Sequence, residues 1–316
     1  MVRAFEKVAV VGAGAVGSFF GAMLARAGHR VVLVARPVHV HAIARDGLRL
    51  EKDGVVESIG IEASDDIAAV RDADLILFCV KSTDTETAAR ALAPHVAPGA
   101  VVLSLQNGVE NAPTIARIVG RVIVPAVVYV ATSMGGPGIV RHHGRGDLVI
   151  GAPAGTPAGD AQTGAMLQAL VDFFATGDVP VRISTDVTAE LWSKLMINCA
   201  YNAISGIAQA RYGELAALPE VRELQYAVVR EVVAVAAAEG VALPLAPSLE
   251  AMERISLAMP AQFSSTAQDM ARAKPSEIDH LNGFVVRRGS ELGVATPANQ
   301  ALHALVKLVE ARHDPV

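Results

Sequence analysis

Three polar residues recur at every fourth position of an otherwise apolar segment, and their types are suited to chemistry. Lys194, Asn198 and Asn202 lie within a helix that the sequence predicts over residues 186–210. Because side chains four residues apart share one helix face, the ammonium group and the two carboxamides form one polar row. An ammonium group can polarise a carbonyl oxygen and donate a proton to it, and carboxamides can orient a polar ligand beside it.

The apolar remainder of this helix indicates what the polar row faces. The row is surrounded by Leu191, Trp192, Leu195, Met196, Ile197, Cys199 and Ala200. A solvated outer face is the alternative, but asparagine is a poor helix former and outer faces usually carry Glu, Lys or Arg. The pattern therefore favours a polar row that lines a cleft.

A glycine-rich turn near the N-terminus is the second candidate for function. The β-branched run at residues 7–11 leads into Gly12-Ala13-Gly14-Ala15-Val16-Gly17, and a helical stretch follows. In such a unit the glycines permit a tight turn, the approach of a pyrophosphate and the packing of helix on strand. The free N–H groups of the helix start then bind the anion. The sequence therefore predicts a dinucleotide site that includes all six residues.

The end of the next strand indicates which dinucleotide binds. A second strand is predicted over residues 31–35, at the spacing of a β-α-β unit, and Arg36 follows it. An acidic residue at this position would bind the ribose 2′-hydroxyl of NAD, whereas a guanidinium can hold the 2′-phosphate of NADP with two hydrogen bonds. The predicted cofactor is therefore NADPH. The alternative is a surface arginine that begins the next loop.

Further predicted strands complete a doubly wound sheet and end in polar groups. They cover residues 75–80, 101–105, 122–130 and 147–150. Lys81 and Asn107 follow two of them, at the carboxyl edge where ligands gather in such sheets. Lys81 could bind a carboxylate or the cofactor, and Asn107 could bind a ligand, although Asn-Gly is also an ordinary turn signal. Ala131, just after a third strand, is predicted to contact the cofactor.

Length and composition indicate two folded domains. A chain of 316 residues exceeds the commonest single-domain size, and 52% hydrophobic with 19% charged residues is typical of globular proteins. Strand-like alternation disappears after Ser184. We therefore expect an α/β protein, with a Rossmann-like NADP-binding domain over residues 1–184 and an all-helical substrate and catalytic domain over residues 185–316.

Several classes of protein and site are not expected. The net charge of −5 and the scattered basic residues argue against nucleic-acid binding. Only two cysteines occur, Cys79 and Cys199, which predicts buried free thiols in a reducing cytoplasm, and the histidines form no metal-binding cluster. Residues 8–25 carry no charge, but their glycines break the run, so a membrane span is not expected. Residues 135–146, dense in glycine, are predicted to be a mobile loop, and residues 313–316 a frayed end.

Amphipathic helices are predicted in the second half of the chain. One covers residues 218–239 and is closed by Gly240, and another covers residues 297–312, with Thr296 as its N-cap and Pro297 at its first position. The apolar side of the first could pack against a second copy of the chain, which would give a homodimer.

Two further segments contain polar residues that could have either a functional or a purely structural role. Ser276 and Asp279 resemble a capping box that opens a helix, so Glu277 could be a carboxylate favoured by a helix dipole rather than a functional one. Ser264 and Ser265 precede a short helix, where serines can serve simply as caps.

Taken together, these motifs resemble the ketopantoate reductases (2-dehydropantoate 2-reductases) over nearly the full length of the chain. The matching segments are residues 11–17, 80–81, 106–108, 194–199 and 277–283. The resemblance implies a Rossmann-like domain followed by a helical domain. It also implies NADPH-dependent reduction of 2-dehydropantoate to pantoate, on the route to pantothenate.

The resemblance further implies a role for each matching residue. Lys194 matches the proton donor of the family, and Asn198 and Asn202 match its substrate contacts. Asn107 matches a residue that touches both cofactor and substrate. Ser265 matches a serine that holds the substrate carboxylate, and Glu277 a glutamate beside the cofactor and the catalytic lysine.

Two positions depart from the family pattern and bear on the substrate. Tyr212 and Gln262 each stand where asparagine is seen in a well-known member. Membership of a protein family predicts the type of reaction more reliably than it predicts the substrate. Two alternatives to ketopantoate reduction therefore stay open, an NADPH-dependent reductase of another 2-oxo acid and a non-catalytic NADPH-binding sensor.

Overall fold

The computed structural model describes residues 5–157 and 159–312, so the expected frayed end at residues 313–316 lies outside it. The chain divides into two compact units, Met1–Val187 and Thr188–Val316. From the sequence we placed the change of architecture at Ser184, which is the last residue of the last strand.

The first unit contains, within its described residues, a sheet of ten strands. The strands are β1 (Lys7–Val11), β2 (Arg30–Val34), β3 (Leu48–Lys52), β4 (Val55–Ile59), β5 (Glu62–Ser64), β6 (Leu75–Phe78), β7 (Val101–Ser104), β8 (Ile123–Gly136), β9 (Ile139–Gly151) and β10 (Val181–Ser184). The helices between them are α1 (Ala15–Arg26), α2 (Pro37–Asp46), α3 (Thr85–Leu92), α4 (Asn111–Val119) and α5 (Ala161–Thr176).

The sheet order explains why this unit is doubly wound. The strands run β4-β3-β9-β8-β7-β6-β1-β2-β5, and β10 pairs with β9. From β8 to β5 all neighbouring pairs are parallel. In β1, Val8 and Val10 join one buried apolar cluster while Ala9 and Val11 join another. Both faces of the parallel strands are therefore covered, as a parallel sheet requires.

Two segments differ from the sequence-based expectation. Residues 135–146 were predicted to be a mobile loop, but most of them belong to the long antiparallel pair of β8 and β9, which turns at Pro137 and Gly138. The prediction was wrong because cross-strand hydrogen bonds from β8 stabilise a glycine-rich strand that has little propensity of its own. Strands β3, β4 and β5 were not predicted at all.

The second unit is helical throughout its described residues. Its α-helices are α6 (Val187–Ala208, beginning at the unit boundary), α7 (Tyr212–Ala216), α8 (Pro219–Ala238), α9 (Leu245–Ala258), α10 (Ser265–Met270), α11 (Asn282–Leu292) and α12 (Pro297–Glu310). The predicted helices over 186–210 and 218–239 are confirmed with ends shifted by one or two residues. Among the described residues, no helix has the length and apolarity needed to cross a membrane.

Two predicted helix starts use other partners than expected. The prediction of a capping box at Ser276 and Asp279 was wrong. The Asp279 carboxylate bonds to His303 and Lys307 instead, and the segment forms only a 3-10 turn, Ile278–His280. Pro297 does occupy the first turn of α12, but the Thr296 side chain makes no cap bond. The carboxylate of Glu231 instead accepts the N–H groups of Ala298 and Asn299, at 2.8 and 2.9 Å.

Candidate functional site

Four neighbouring strands bring the predicted cofactor residues of the first unit to one edge of the sheet. In the order β7-β6-β1-β2, the residues that follow the carboxyl ends are Asn107, Lys81, the turn Gly12 to Gly17, and Arg36. Strand β1 pairs with β2 on one side and with β6 on the other, so the glycine turn lies at the point where the chain reverses its direction of winding. Ligands bind at such switch points in open α/β sheets.

The glycine turn is tightly packed at two of its glycines. Gly12 has φ of +95°, and a Cβ there would lie 2.7 Å from the amide nitrogen of Val80. A Cβ on Gly17 would overlap the carbonyl oxygen of Gly12. The amides of Gly12 and Ala13 both donate to the Val34 carbonyl, at 3.0 and 3.2 Å. A side chain is therefore excluded at Gly12 by the residues that follow β6, and at Gly17 by the backbone of the turn itself.

The remaining glycine and the helix start fit a bound pyrophosphate. Gly14 is exposed, and among the described residues a Cβ built on it would meet nothing within 4 Å beyond its chain neighbours. Its carbonyl accepts the first helical hydrogen bond, from the amide of Ser18, so the amides of Ala15, Val16 and Gly17 precede the helical ladder of α1. Such N–H groups carry partial positive charge and need an outside acceptor. The residues present therefore fit the phosphates of a dinucleotide.

Arg36 lies two residues beyond β2 and is the N-cap residue of α2, with Pro37 in the first turn. The side chain is exposed, and within the described chain its guanidinium makes no hydrogen bond or ion pair. Its backbone carbonyl is held by the amides of His39 and Val40. A fixed backbone with a free guanidinium is the arrangement that a 2′-phosphate contact needs.

Lys81 and Asn107 are connected through buried polar residues that we did not single out from the sequence. Lys81 is exposed and Asn107 is half-buried. The Asn107 carbonyl accepts hydrogen bonds from Asn111 Nδ2 at 2.6 Å and Ser82 Oγ at 3.4 Å. In the sequence, Ser82 and Asn111 look like ordinary helix-start residues, and only the adjacency of β6 and β7 brings them together. Ala131 lies farther along the same edge, because β8 continues well past its last pairing with β7 and pairs Ala131 with Gly144.

The polar row lies on α6 as predicted, and one of its members is deeply buried. Asn202 is only 2% exposed, whereas Lys194 and Asn198 are half-buried. The apolar positions Trp192, Leu195, Met196, Cys199 and Ala200 are buried. The solvated-face alternative therefore does not describe this helix.

Asn202 and Ser265 meet within the second unit. The Asn202 side-chain amide donates to the Ser265 hydroxyl at 3.4 Å. Ser265 is exposed and begins α10, while the preceding Ser264 is the true cap, with its hydroxyl accepting the Ala267 amide at 3.0 Å. The Ser264 hydroxyl also donates to the Asn202 carbonyl at 3.3 Å. Of the two serines, Ser264 thus has the structural role and Ser265 keeps an accessible hydroxyl.

The surroundings of Glu277 do not fit the purely structural role considered above, that of a carboxylate stabilised by a helix dipole. It is half-buried and precedes the short 3-10 turn Ile278–His280 rather than a long helix. A helix macrodipole is the sum of many aligned peptides, so a turn of this length has little of it. Dipole stabilisation therefore does not account for a carboxylate here.

Tyr212 and Gln262, the two residues that differ from the family pattern, are neighbours in the structure. The Tyr212 amide donates to the Gln262 carbonyl at 3.0 Å. The Tyr212 ring is buried beside Tyr201, with ring centroids 4.6 Å apart, and burial raises the pKa of its hydroxyl. Gln262 turns its side-chain amide to the adjacent Phe263 carbonyl.

The two cysteines have no chemical role that the structure supports. Cys199 is buried as predicted, while Cys79 is partly buried against the sheet core. Burial raises the pKa of both thiols, which keeps them protonated and unreactive. Within the described ranges, no group of His, Cys, Asp and Glu residues could hold a metal ion.

Comparison with known proteins identifies the family. Residues 8–155 match the family model described as ketopantoate reductase PanE/ApbA, and residues 186–310 match the model of its C-terminal part. A 2-dehydropantoate 2-reductase from Halobacterium salinarum is 34% identical over 96% of this chain and 99% of its own. The chain belongs to the ketopantoate reductase family. As a member of the ketopantoate reductase family it is an oxidoreductase.

Solved structures confirm the expected fold class for this ketopantoate reductase family member. The crystal structure of a PanE/ApbA family ketopantoate reductase from Ralstonia eutropha JMP134 is 53% identical, with a TM-score of 0.88, and covers 97% of this chain and 99% of that one. The ternary structure of a D-mandelate dehydrogenase with NADH and anilino(oxo)acetate is 26% identical, with a TM-score of 0.90 and the same coverage.

Proposed function

We propose that the protein reduces 2-dehydropantoate to pantoate with NADPH, in the biosynthesis of pantothenate. The observation that carries this proposal, beyond family membership, is the contact between Asn202 and Ser265. These two predicted substrate residues lie far apart in the chain, and Asn202 shares the face of α6 with Lys194. The first unit is then the NADP-binding domain and the second the substrate and catalytic domain.

The first unit provides the cofactor site in this proposal. The free amides at the start of α1 bind the pyrophosphate, and the open space at Gly14 lets it approach the backbone. Arg36 binds the 2′-phosphate, and Lys81, Asn107 and Ala131 contact the cofactor farther along the edge. When bound, the reduced nicotinamide supplies the hydride.

The second unit provides the groups that act on the 2-oxo acid. As the C2 carbonyl of the acid is reduced, negative charge develops on its oxygen. The Lys194 ammonium stabilises that charge and donates the proton that completes the hydroxyl group, which combines electrostatic stabilisation with general acid catalysis. Asn198 and Asn202 orient the acid from the same helix face, Ser265 binds its carboxylate, and Glu277 positions the lysine and the cofactor.

A second candidate substrate class is supported by one comparison and one feature of the site. The similar D-mandelate dehydrogenase was solved with an anilino-substituted oxo acid. In this chain the side chains at positions 212 and 262 are a buried phenol and an amide bonded to its own neighbour, rather than the two asparagines of the family pattern. A 2-oxo acid with a less polar substituent is therefore the alternative substrate.

The deciding experiment is a panel assay that follows the absorbance of the reduced nicotinamide. The purified protein is mixed with 2-dehydropantoate or with phenylglyoxylate, the 2-oxo acid that corresponds to mandelate, and with either NADPH or NADH. The proposal expects the highest kcat/KM for 2-dehydropantoate with NADPH. A higher kcat/KM for phenylglyoxylate would favour the alternative substrate, and nucleotide binding without any turnover would favour a sensor. A cytoplasmic location and a homodimer stay predictions.

A further inference from the structure

Five buried polar side chains form one hydrogen-bonded network beside the ligand-binding edge of the first unit. The Gln106 network consists of Ser82, Thr85, Ser104, Gln106 and Asn111, each between 3% and 6% exposed. A polar group buried at such a place is costly unless it is paired. The hydrogen bonds within the network therefore offset the cost of burying these five side chains.

Gln106 is the centre of the network, and all its side-chain polar atoms are paired. Its Nε2 donates to the Val80 carbonyl at 3.0 Å and to the Thr85 hydroxyl at 2.8 Å, and its Oε1 accepts from the Ser104 hydroxyl at 3.1 Å. The Thr85 hydroxyl in turn donates to Asn111 Oδ1 at 2.8 Å. A fully satisfied buried network permits one arrangement of its members and penalises others.

The remaining hydrogen bonds of the network hold the loop that follows β7, whereas the bond from Gln106 to Val80 holds the loop that follows β6. Asn111 Nδ2 donates to the Ser82 hydroxyl at 3.1 Å and to the Asn107 carbonyl at 2.6 Å. The carbonyls of Val80 and Asn107 both lie beyond the ends of their strands, β6 and β7. The network thus supplies the bonds that these two loops no longer obtain from the sheet.

Val80 extends the effect of the network to the glycine turn. A Cβ on Gly12 would lie 2.7 Å from the amide nitrogen of Val80 and 2.8 Å from its Cγ1. The turn therefore rests directly against Val80, whose carbonyl Gln106 holds. A displacement of Val80 would move the surface on which the turn packs, together with the adjoining Lys81.

We propose that Gln106 is a positioning residue for the dinucleotide. Through the Gln106 network it holds the loops of Lys81 and Asn107 and the wall of the glycine turn in one arrangement, although its own side chain is buried. This inference rests on the proposed use of a nicotinamide dinucleotide. Preorganised binding groups raise affinity because less ordering is left to be done when the ligand binds.

The test compares two substitutions of a buried glutamine by leucine. Gln106→Leu removes the centre of the network, while Gln225→Leu is the matched control in the second unit, where Gln225 is 1% exposed and bonds to the Ala200 carbonyl. We expect Gln106→Leu to raise the Kd for NADPH, followed by nicotinamide fluorescence, about tenfold or more. At saturating NADPH the KM for the 2-oxo acid should change by a smaller factor than the Kd for NADPH, because Asn107 is the one residue held by the network that is also expected to contact the substrate. Gln225→Leu should leave both values near those of the wild type.

A second substitution serves if Gln106→Leu does not fold. Thr85→Val removes only the hydroxyl that joins Gln106 to Asn111, and it should raise the Kd for NADPH in the same direction by a smaller factor. A folded Gln106→Leu protein, or Thr85→Val in its place, with wild-type affinity for NADPH would overturn the proposal. Equal weakening in Gln225→Leu would overturn it as well, since the effect would then be general destabilisation.

The same titrations separate this inference from the proposed function. If the wild type binds NADPH but reduces no 2-oxo acid, the proposed activity fails, while the ratio of Kd values still decides the role of Gln106. If the wild type binds neither NADPH nor NADH, both fail.

Discussion

The side-chain amide of Asn202 donates a hydrogen bond to the hydroxyl of Ser265, with 3.4 Å between the two atoms. Asn202 comes from the C-terminal half of α6, and Ser265 is the first residue of α10. Ser264, buried beside them, bonds to the Asn202 carbonyl and caps α10. The position of the exposed serine hydroxyl relative to the polar row is therefore set by its buried neighbour.

The adjacent serines should respond differently to substitution by alanine. Ser264→Ala removes a helix cap and should lower the free energy of unfolding by about 0.5–2 kcal/mol, measured by urea denaturation. Ser265→Ala should lower that free energy by a smaller amount, because its exposed hydroxyl caps no helix and accepts only a long 3.4 Å bond from Asn202, but it should raise the KM for the 2-oxo acid. A Ser265→Ala enzyme with the KM of the wild type would contradict the carboxylate-binding role.

Lys194→Ala should reduce kcat by about a hundredfold or more, the usual share of a single general acid. The physical reason is that the neighbouring members of the polar row, Asn198 and Asn202, are neutral carboxamides, which cannot replace an ammonium group as proton donor. Steady-state kinetics with saturating NADPH check this. Lys274→Ala, at an exposed lysine of the same unit, is the control and should retain wild-type turnover. Wild-type turnover in Lys194→Ala would rule out the proton-donor role.

Arg36→Asp should change the preference between the two nicotinamide cofactors. The Kd for NADPH should rise roughly tenfold to a hundredfold, because hydrogen bonds to a charged group contribute about 1.5–3 kcal/mol each. The Kd for NADH should change far less, and fluorescence titration measures both. Arg30→Asp is the matched control, since Arg30 is an exposed arginine at the opposite end of β2. An equal loss for both cofactors would show that Arg36 does not bind the 2′-phosphate.

Two glycine substitutions in the turn should distinguish a glycine needed for protein packing from one needed for the approach of the cofactor. Gly17→Ala forces a methyl group onto the Gly12 carbonyl oxygen and should lower the Tm of the free protein. The methyl group of Gly14→Ala meets no atom of the described residues within 4 Å apart from its chain neighbours, so the Tm should stay close to that of the wild type while the affinity for NADPH falls. Thermal melts with and without NADPH measure both effects. Unchanged affinity in Gly14→Ala would mean that the pyrophosphate does not pass over this residue.

Asp279 should contribute to stability in a pH-dependent way. Burial raises the pKa of this carboxyl, but the hydrogen bonds from His303 and Lys307 and the attraction of their positive charges together lower it by more, so that the folded-state pKa lies below the ordinary value of 3.8. A depressed carboxyl pKa stabilises the fold above the unfolded-state value, and this stabilisation is lost as the pH falls through the folded-state value.

The matching variant is Asp279→Asn, studied by thermal melts across a pH series. Its Tm should lie below that of the wild type at neutral pH, and the difference should shrink as the pH falls below about 4. A Tm difference that stays constant down to acid pH would show that the carboxylate charge of Asp279 is not what stabilises this region.

Much of the arrangement of the candidate site could be predicted from the sequence because its parts are local. The strand, turn and helix around Gly12 to Gly17 follow from β-branched residues, glycines and an apolar helix in succession. The row of Lys194, Asn198 and Asn202 follows from helical periodicity alone. Each depends only on residues within a few turns of one another, and local sterics and hydrogen bonding are the same in any fold.

Only the tertiary structure decided which distant groups meet. It paired a glycine-rich segment with β8, gave the start of α12 its cap from Glu231, and placed the Asn202 amide against Ser265. It also gathered Ser82, Thr85 and Asn111 around Gln106, although in the sequence these residues look like ordinary turn and helix-start positions. The physical reason is that a polar side chain can bond to any complementary group within reach. Which group that is depends on the order of strands and the packing of helices, and the local sequence does not contain that information.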